Sequence, residues 1–292
     1  MTADQMAATA PDVTAAEPGN RPAAGWRSWR GNVALAQVAL AVVLLALWEY
    51  LPDVPFLSDR FNFLNRFFIS SPTLVADRVW DLTVGTATYP SVLSPLWLTV
   101  RDALIGLLIG VVAGALAGLV LSSSQLAAAI FQPFVVVFSA VPRIALIPIT
   151  VVALGPTSKS SIFSAAVIVF FAVFFNAYEG GRSVSHEVID NAWVLGASGR
   201  DSMLRVRLPY VLAWTIVALP GAAGYGLVGA VVTEILVGIP GMGQQLLQSL
   251  NDANATTTIA LAIMLAVLGV VLTTVAAFIR SRALFWWEGG TS

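Results

Sequence analysis

Cysteine is absent from the 292 residues and histidine occurs once, at His186. That excludes disulfides, thiol nucleophiles and nearly every transition-metal site. Lysine also occurs once, as Lys159 in GPTSKS, outside the G-x-x-x-x-G-K-[ST] spacing with which a P-loop cradles nucleotide phosphates. The chain does not bind ATP by that route. Charge is scarce altogether, at 11% of residues against roughly 25% in a soluble globular domain. The net charge of −1 leaves no basic excess for nucleic acid and no acidic solvating tail. A soluble fold and most kinds of catalysis are therefore excluded, and no catalytic, metal or cofactor-binding residue is expected on this chain.

What is present is apolar, 58% of residues, arranged in long uncharged runs. Residues 1–30 are rich in Ala, Pro, Gly and Thr without apolar periodicity, and are read as a disordered tail. Residues 31–292 form the membrane domain. Its first run, 31–48, sits at the lower limit of a span and ends in Trp48-Glu49-Tyr50, an interfacial anchor rather than a signal-peptide cleavage site. Between 103 and 142 no residue is charged, and forty apolar residues exceed the roughly twenty one span requires. Two spans, near 97–121 and 126–154, therefore share them, turning at SSSQ. Pro133, Pro142 and Pro148 predict a kink or local unwinding in the second. Further runs at 160–178, 210–233 and 253–279 bring the total to six transmembrane helices, an all-α polytopic membrane protein. Before them, Ser71-Pro72 opens a capped amphipathic helix at the interface, apolar at Leu74, Val75, Val79 and Leu82.

Arginines cluster near one set of span ends, including Arg27, Arg30, Arg182, Arg200, Arg205, Arg207, Arg280 and Arg282, which favours both termini in the cytoplasm. Gly106, Gly110, Gly114 and Gly118 recur every fourth residue and predict a smooth ridge for close helix packing rather than a substrate path. Gly221, Gly224, Gly226 and Gly229 invite the same reading.

One stretch breaks the apolar pattern: DNAWVLGASGRDSMLRVRLP, residues 190–209. Ser185 caps a first helix with Val188, Ala192 and Leu195 on one face, residues 196–199 break it, and Ser198 caps a second with Asp201 three residues on. Pro209 then closes the segment and opens the next span. Two readings fit: an amphipathic helix lying on lipid, or a handle gripped by a cytoplasmic partner. Periodicity does not separate them.

The spacing Asp190-Asn191-Ala192-x3-Gly196-x9-Val206-x-Leu208-Pro209 resembles the cytoplasmic EAA loop of ABC importer permeases, with Asp for Glu, Asn for the first Ala and Val for Ile. SSPTLVADRVWDL, LWLTVRDALIGLLIGVVAGALAGLVLSSS, AVPRIALIPITVVALG and VVTEILVGIPGMGQQL look like successive segments of the nitrate, aliphatic sulfonate and taurine importer permeases. The resemblance covers roughly residues 31–282. It implies a type I importer permease fold in a bacterial inner membrane, working as a homodimer with a second permease copy. Its partners would be two cytoplasmic ABC ATPases, which bind the ATP and Mg, and an extracytoplasmic substrate-binding protein. Coupling helices would lie at about 185–207, with Asp190, Asn191, Ala192, Gly196 and Pro209 at motif positions. Arg200 and Arg205 are additional candidates for contact with the ATPase, or face phospholipid. The implied cargo is a small anion such as a sulfonate, taurine or nitrate, although related permeases also serve pyrimidine vitamin precursors and aromatic acids.

Charged or polar residues within spans are costly and often functional, which makes Ser139, Arg143, Asn176, Thr233 and Glu234 candidates for the pathway. Glu234, ahead of GIPGMG, resembles the family's element near the periplasmic gate, or bonds to loop amides. Arg143 attracts an anion or satisfies carbonyls freed by the prolines. The alternative function is a secondary transporter or channel without an ATPase, which would need an ionisable relay that the spans lack apart from Arg143 and Glu234. A membrane enzyme would need a metal or nucleophile constellation, also missing.

Overall fold

Uncharged runs longer than one span fold into helices because a helix satisfies its own backbone groups, and a bilayer offers no water to do so. The computed structural model describes residues 24–54, 65–140 and 142–285, all-α throughout. The chain divides into two units, residues 1–51 and 52–292. In the first, α1 runs Ala24–Tyr50. It begins inside the stretch assigned to the tail, because adding residues to an existing helix costs little. The tail's residues 1–23 lie outside the described residues.

The second unit contains α2 (Arg66–Ile69), α3 (Pro72–Val84), α4 (Leu93–Ser122), α5 (Gln125–Ala140), α6 (Ile147–Leu154) and α7 (Ser158–Arg182). After α7 come α8 (His186–Val194), α9 (Gly199–Asp201), α10 (Leu208–Val237), α11 (Met242–Asn251) and α12 (Ala255–Ala283). Four helical stretches among the described residues are long and apolar enough to cross a membrane: α4, α7, Gly199–Val237 and α12. The other two expected spans coincide with α1 and with α5 plus α6. The latter pair is broken at Pro142, followed by a 3-10 turn, Arg143–Leu146, whereas Pro133 stays inside α5 and Pro148 falls in the first turn of α6. Only Pro142 unwinds the chain. Pro148 stands where a helix has no amide bond to lose.

The core is a three-helix arrangement. The glycine ridge of α4 lies on α7 so closely that an added Cβ on Gly106 would stand 2.6 Å from Ala165 Cβ, on Gly110 2.6 Å from the Ala166 carbonyl, on Gly114 2.8 Å from the Phe170 carbonyl and on Gly118 2.6 Å from Ala177 Cβ. Partners rise in step with the ridge, so α4 and α7 run parallel. The ridge is packing, bought by the absence of side chains. In contrast, α10 runs antiparallel to both: a Cβ on Gly229 would stand 2.8 Å from Ala165 Cα, and one on Gly180 2.6 Å from the Trp214 side chain. Of the glycines expected to form a second ridge, only Gly229 makes such an approach. Gly221 has nothing within 4 Å, Gly224 meets only Thr273 at 3.7 Å, and Gly226 sits at an ordinary 3.4 Å. Val169, Val173 and Ala222 are buried where the three helices meet. Leu108, Leu116, Val120, Val267 and Val270 remain exposed on the outer faces, as bilayer-facing helices require.

Candidate functional site

Two polar constellations stand at opposite ends of the three-helix core, about 40 Å apart along α10 at 1.5 Å per residue.

The first is built on the EAA-like stretch. α8 ends in a Schellman turn: Gly196 has φ +83°, its N–H donates to the Trp193 carbonyl at 2.9 Å, and Ala197 N–H donates to the Ala192 carbonyl at 2.9 Å. The motif glycine is thus required by backbone chirality, and the motif alanine supplies the carbonyl that closes the turn. Ser198 then starts a new turn with a complete capping box. Asp201 N–H donates to Ser198 Oγ at 3.2 Å, and Ser198 N–H donates to Asp201 Oδ2 at 3.2 Å. Ser185 occupies the N-cap of α8 but makes no side-chain cap bond, which corrects the expectation.

Pro209 opens the next span as expected, but it does not close the segment before it. α9 passes through a π-helical stretch, Ser202–Arg207, directly into α10, where Pro209 lies in the first turn. Leu208 N–H reaches back five residues to the Met203 carbonyl, and this wider turn accommodates a proline whose ring would otherwise crowd the preceding coil. Hence the capped foot and the span are one continuous stretch, Gly199–Val237.

Asp190 and Asn191 are exposed, Ala192 is half-buried, and Trp193, Val194 and Leu195 are 55%, 86% and 87% exposed. α8 buries none of its residues. An exposed aromatic and aliphatic cluster on an unburied helix suits a partner surface or a lipid interface alike. Arg200 is exposed, and Arg205 pairs with Asp201 at 3.3 Å.

Arg207 was passed over in the sequence reading as one of several arginines. It is half-buried and donates through Nη1 to the Ser122 carbonyl, and to the Gly181 carbonyl at 3.4 Å. A cation therefore sits on the carbonyl-bearing ends of α4 and α7, where helix dipoles favour positive charge. It fastens both to the foot. Nothing local in LRVRLP distinguishes it from Arg205, since its partners lie 85 and 26 residues away.

The second constellation surrounds Glu234, which is fully buried. Its Oε2 accepts from Thr99 Oγ1 at 2.9 Å and from Gly243 N–H at 2.8 Å, while Met242 N–H donates to Thr99 Oγ1 at 2.9 Å. The loop after α10 folds back over the carboxylate so tightly that a Cβ on Gly241 would stand 2.2 Å from Glu234 Cδ. The loop-amide reading of Glu234 is the one its geometry displays. Beside Thr99 on the same face of α4, Asp102 is buried and accepts from Arg101 at 2.8 Å, and Arg101 also donates to Ser158 at 3.1 Å. Thr99 and Asp102 were not singled out from sequence. Their position one turn before an uncharged run was the available signal.

Of the remaining pathway candidates, Thr233 is buried and donates to the Gly229 carbonyl at 2.7 Å, and Asn176 donates to the Ala172 carbonyl at 2.7 Å. Both bonds lie within one helix. The side chains of Ser139 and Arg143 lie outside the described residues. No group of three metal-ligating side chains occurs among the described residues.

Replacing Glu234 with alanine should strand the Gly243 N–H, leave the Thr99 hydroxyl only its bonds to the Pro95 carbonyl and the Met242 N–H, and loosen α10 from α4 and α11. Each lost bond to a charged group is worth about 1.5–3 kcal/mol. A thermal midpoint several degrees below the parent is expected in detergent. An unchanged midpoint would show that the clasp carries no stability.

Residues 106–284 match the family model described as binding-protein-dependent transport system inner membrane component. The chain is 24% identical over 247 residues to the nitrate import permease protein NrtB of Leptolyngbya laminosa, covering 83% of this chain and 85% of that protein. A protein of Escherichia coli whose provisional name is aliphatic sulfonates transport permease protein SsuC is 26% identical over 249 residues, 85% of this chain and 90% of its own. The formylaminopyrimidine transport permease protein ThiX of Halalkalibacterium halodurans is 25% identical over 214 residues, 73% and 80% respectively.

Proposed function

Because the chain belongs to the family of binding-protein-dependent transport system inner membrane components, we propose that it is the membrane-spanning subunit through which an ATP-driven importer moves a small anion. Membership makes it a multi-pass inner-membrane transport subunit of an ABC system, partnered by an ATPase and a binding protein. The finer reading is a homodimer on two ATPases, with both termini and the 185–207 foot in the cytoplasm, and with nitrate or an organosulfonate as cargo. Relatives named for nitrate and aliphatic sulfonate transport support that cargo class, and a relative named for formylaminopyrimidine marks its nearest competitor.

The observation that carries the mechanism is the unbroken helix from the capped turn after Ser198 to the clasp. ATP closing two ATPases would draw the feet together through contacts at Asp190, Ala192, the exposed Trp193-Val194-Leu195 edge and Arg200. Gly199–Val237 would pass that displacement through the bilayer as one body, and Arg207 would carry α4 and α7 with it. Swinging a two-state carrier from 1:99 to 99:1 requires about 5.5 kcal/mol of preference for one state. Closure of the ATPases supplies it, and no bond is broken on this chain. Glu234 would hold the far end shut until the helices move.

Reconstitution of the permease with its neighbouring ATPase and binding protein should give uptake of nitrate or a sulfonate that requires ATP. Uptake that persists without the ATPase would replace this reading with a secondary transporter or channel.

A further inference from the structure

Beside the foot lies a cleft of about 300 Å³, lined by Ser122, Gln132, Arg182, Val184, His186 and Arg207 among others. It opens between the α4–α5 hairpin, the end of α7 and the start of α8. Among the described residues no carboxylate lines it. Arg182 spends Nη1 on the Tyr178 hydroxyl at 2.9 Å, and Arg207 spends Nη1 on the Ser122 and Gly181 carbonyls. Their remaining N–H groups have no partner among the described residues. The ion pairs described are Arg101 with Asp102 and Arg205 with Asp201, so among the described residues neither cleft arginine has an ion-pair partner. The nine-residue helix α8 starts at the same cleft without a side-chain cap.

Taking the half-buried Arg207 guanidinium partly out of water without an anion beside it is unfavourable, and the exposed Arg182 guanidinium in the same cleft repels it. Planar guanidinium forks, an imidazole N–H, a glutamine amide and an uncapped helix start together form the donor set that tetrahedral oxyanions take. We propose that this cleft binds a phosphate-type oxyanion, either the headgroup of an anionic phospholipid or a free anion, bridging Arg182 and Arg207 and so tying the hairpin to the foot. The site stands independently of the transport reading, because it is defined on the permease alone.

The test uses the purified full-length chain without any ATPase. In one arm, inorganic phosphate is titrated against chloride at constant ionic strength and binding is followed calorimetrically. In the other, the protein is placed in nanodiscs of phosphatidylcholine with or without phosphatidylglycerol, and retained lipid is read by native mass spectrometry. Arg182 and His186 are exposed, so R182Q/H186Q leaves the fold intact, whereas Arg207 holds carbonyls and is left in place. The variant should bind about tenfold or more weakly, as expected for lost charge-assisted bonds. Weakening in the phosphate arm assigns a free anion, and weakening in the lipid arm assigns a headgroup. Absence of binding in both arms, or equal binding by parent and variant, overturns the proposal.

Discussion

Gly110→Val is expected to remove folded protein from the membrane almost entirely. A Cβ at residue 110 would stand 2.6 Å from the Ala166 carbonyl oxygen and 2.7 Å from Val169 Cβ. The nearest obstacle is main chain and cannot swing aside as the tip of a side chain would. Room can come only from moving α7 away from α4, which also opens the contacts at Gly106, Gly114 and Gly118. Overpacking of a well-filled core costs about 1–3 kcal/mol even where side chains absorb it, and a protein with about 5–15 kcal/mol in total has little to spare. Here several glycine contacts are lost together. Gly221→Ala is the control, since nothing lies within 4 Å of that position and Ala favours helix over Gly. Size-exclusion profiles of tagged protein should show aggregate for G110V and a parental peak for G221A. A monodisperse G110V with the parental thermal midpoint would show that α4 and α7 do not approach as described.

These two substitutions also mark where sequence reading reaches its limit. The ridge of α4 was legible because a four-residue repeat maps onto one helix face whatever the surroundings. The glycines of α10 have no such register, and which of them meets a neighbour depends on how α10 crosses α7. Only Gly229 turned out to lie at the crossing. The hairpin at 123–124, the unwinding at Pro142 and the capping box of Ser198 were legible for a similar reason: turn and cap chemistry acts within a few residues. Pro209 marked the start of the span correctly but misled about a break before it, because a π-helical turn absorbed its usual local effect. The foot's position was carried by motif spacing, but the Schellman geometry that explains its glycine required the backbone. Thr99 and Arg207 were missed because their roles are made by partners far along the chain, Thr99 meeting Glu234 across 135 residues, whereas Asp102 pairs with its neighbour Arg101 and was missed because its burial depends on how α4 packs. Asn176 and Thr233 stood out as pathway candidates because polarity within a span is conspicuous, but the partners of such groups are not legible from sequence. Their hydroxyl and amide groups bond to their own helices, which is how an isolated polar side chain is most simply satisfied in an apolar environment.

The foot yields the second large effect. Gly196→Pro should abolish copurification of the ATPase and ATP-dependent uptake while leaving membrane insertion unchanged. Insertion depends on apolar runs that the substitution does not touch. At residue 196 the backbone has φ +83°, whereas proline is held near −65°, and the substitution also deletes the N–H that donates to Trp193. Alanine in a left-handed conformation costs about 1–2 kcal/mol. Proline cannot adopt it, so the chain must leave α8 in another direction. The exposed Trp193, Val194 and Leu195 would then stand at a different angle to the capped turn that begins at Ser198. Two surfaces presented by one bend cannot both remain in register with a partner once the bend changes. Losing even about 1.4 kcal/mol of docking free energy weakens association tenfold, and a misdirected helix forfeits more. Gly199→Ala separates direction from mere substitution in the foot: residue 199 is already helical, nothing lies within 4 Å, and copurification should match the parent. If G196P retains both the ATPase and its uptake, the bend is not the lever, and force would have to enter the membrane helices elsewhere on the chain.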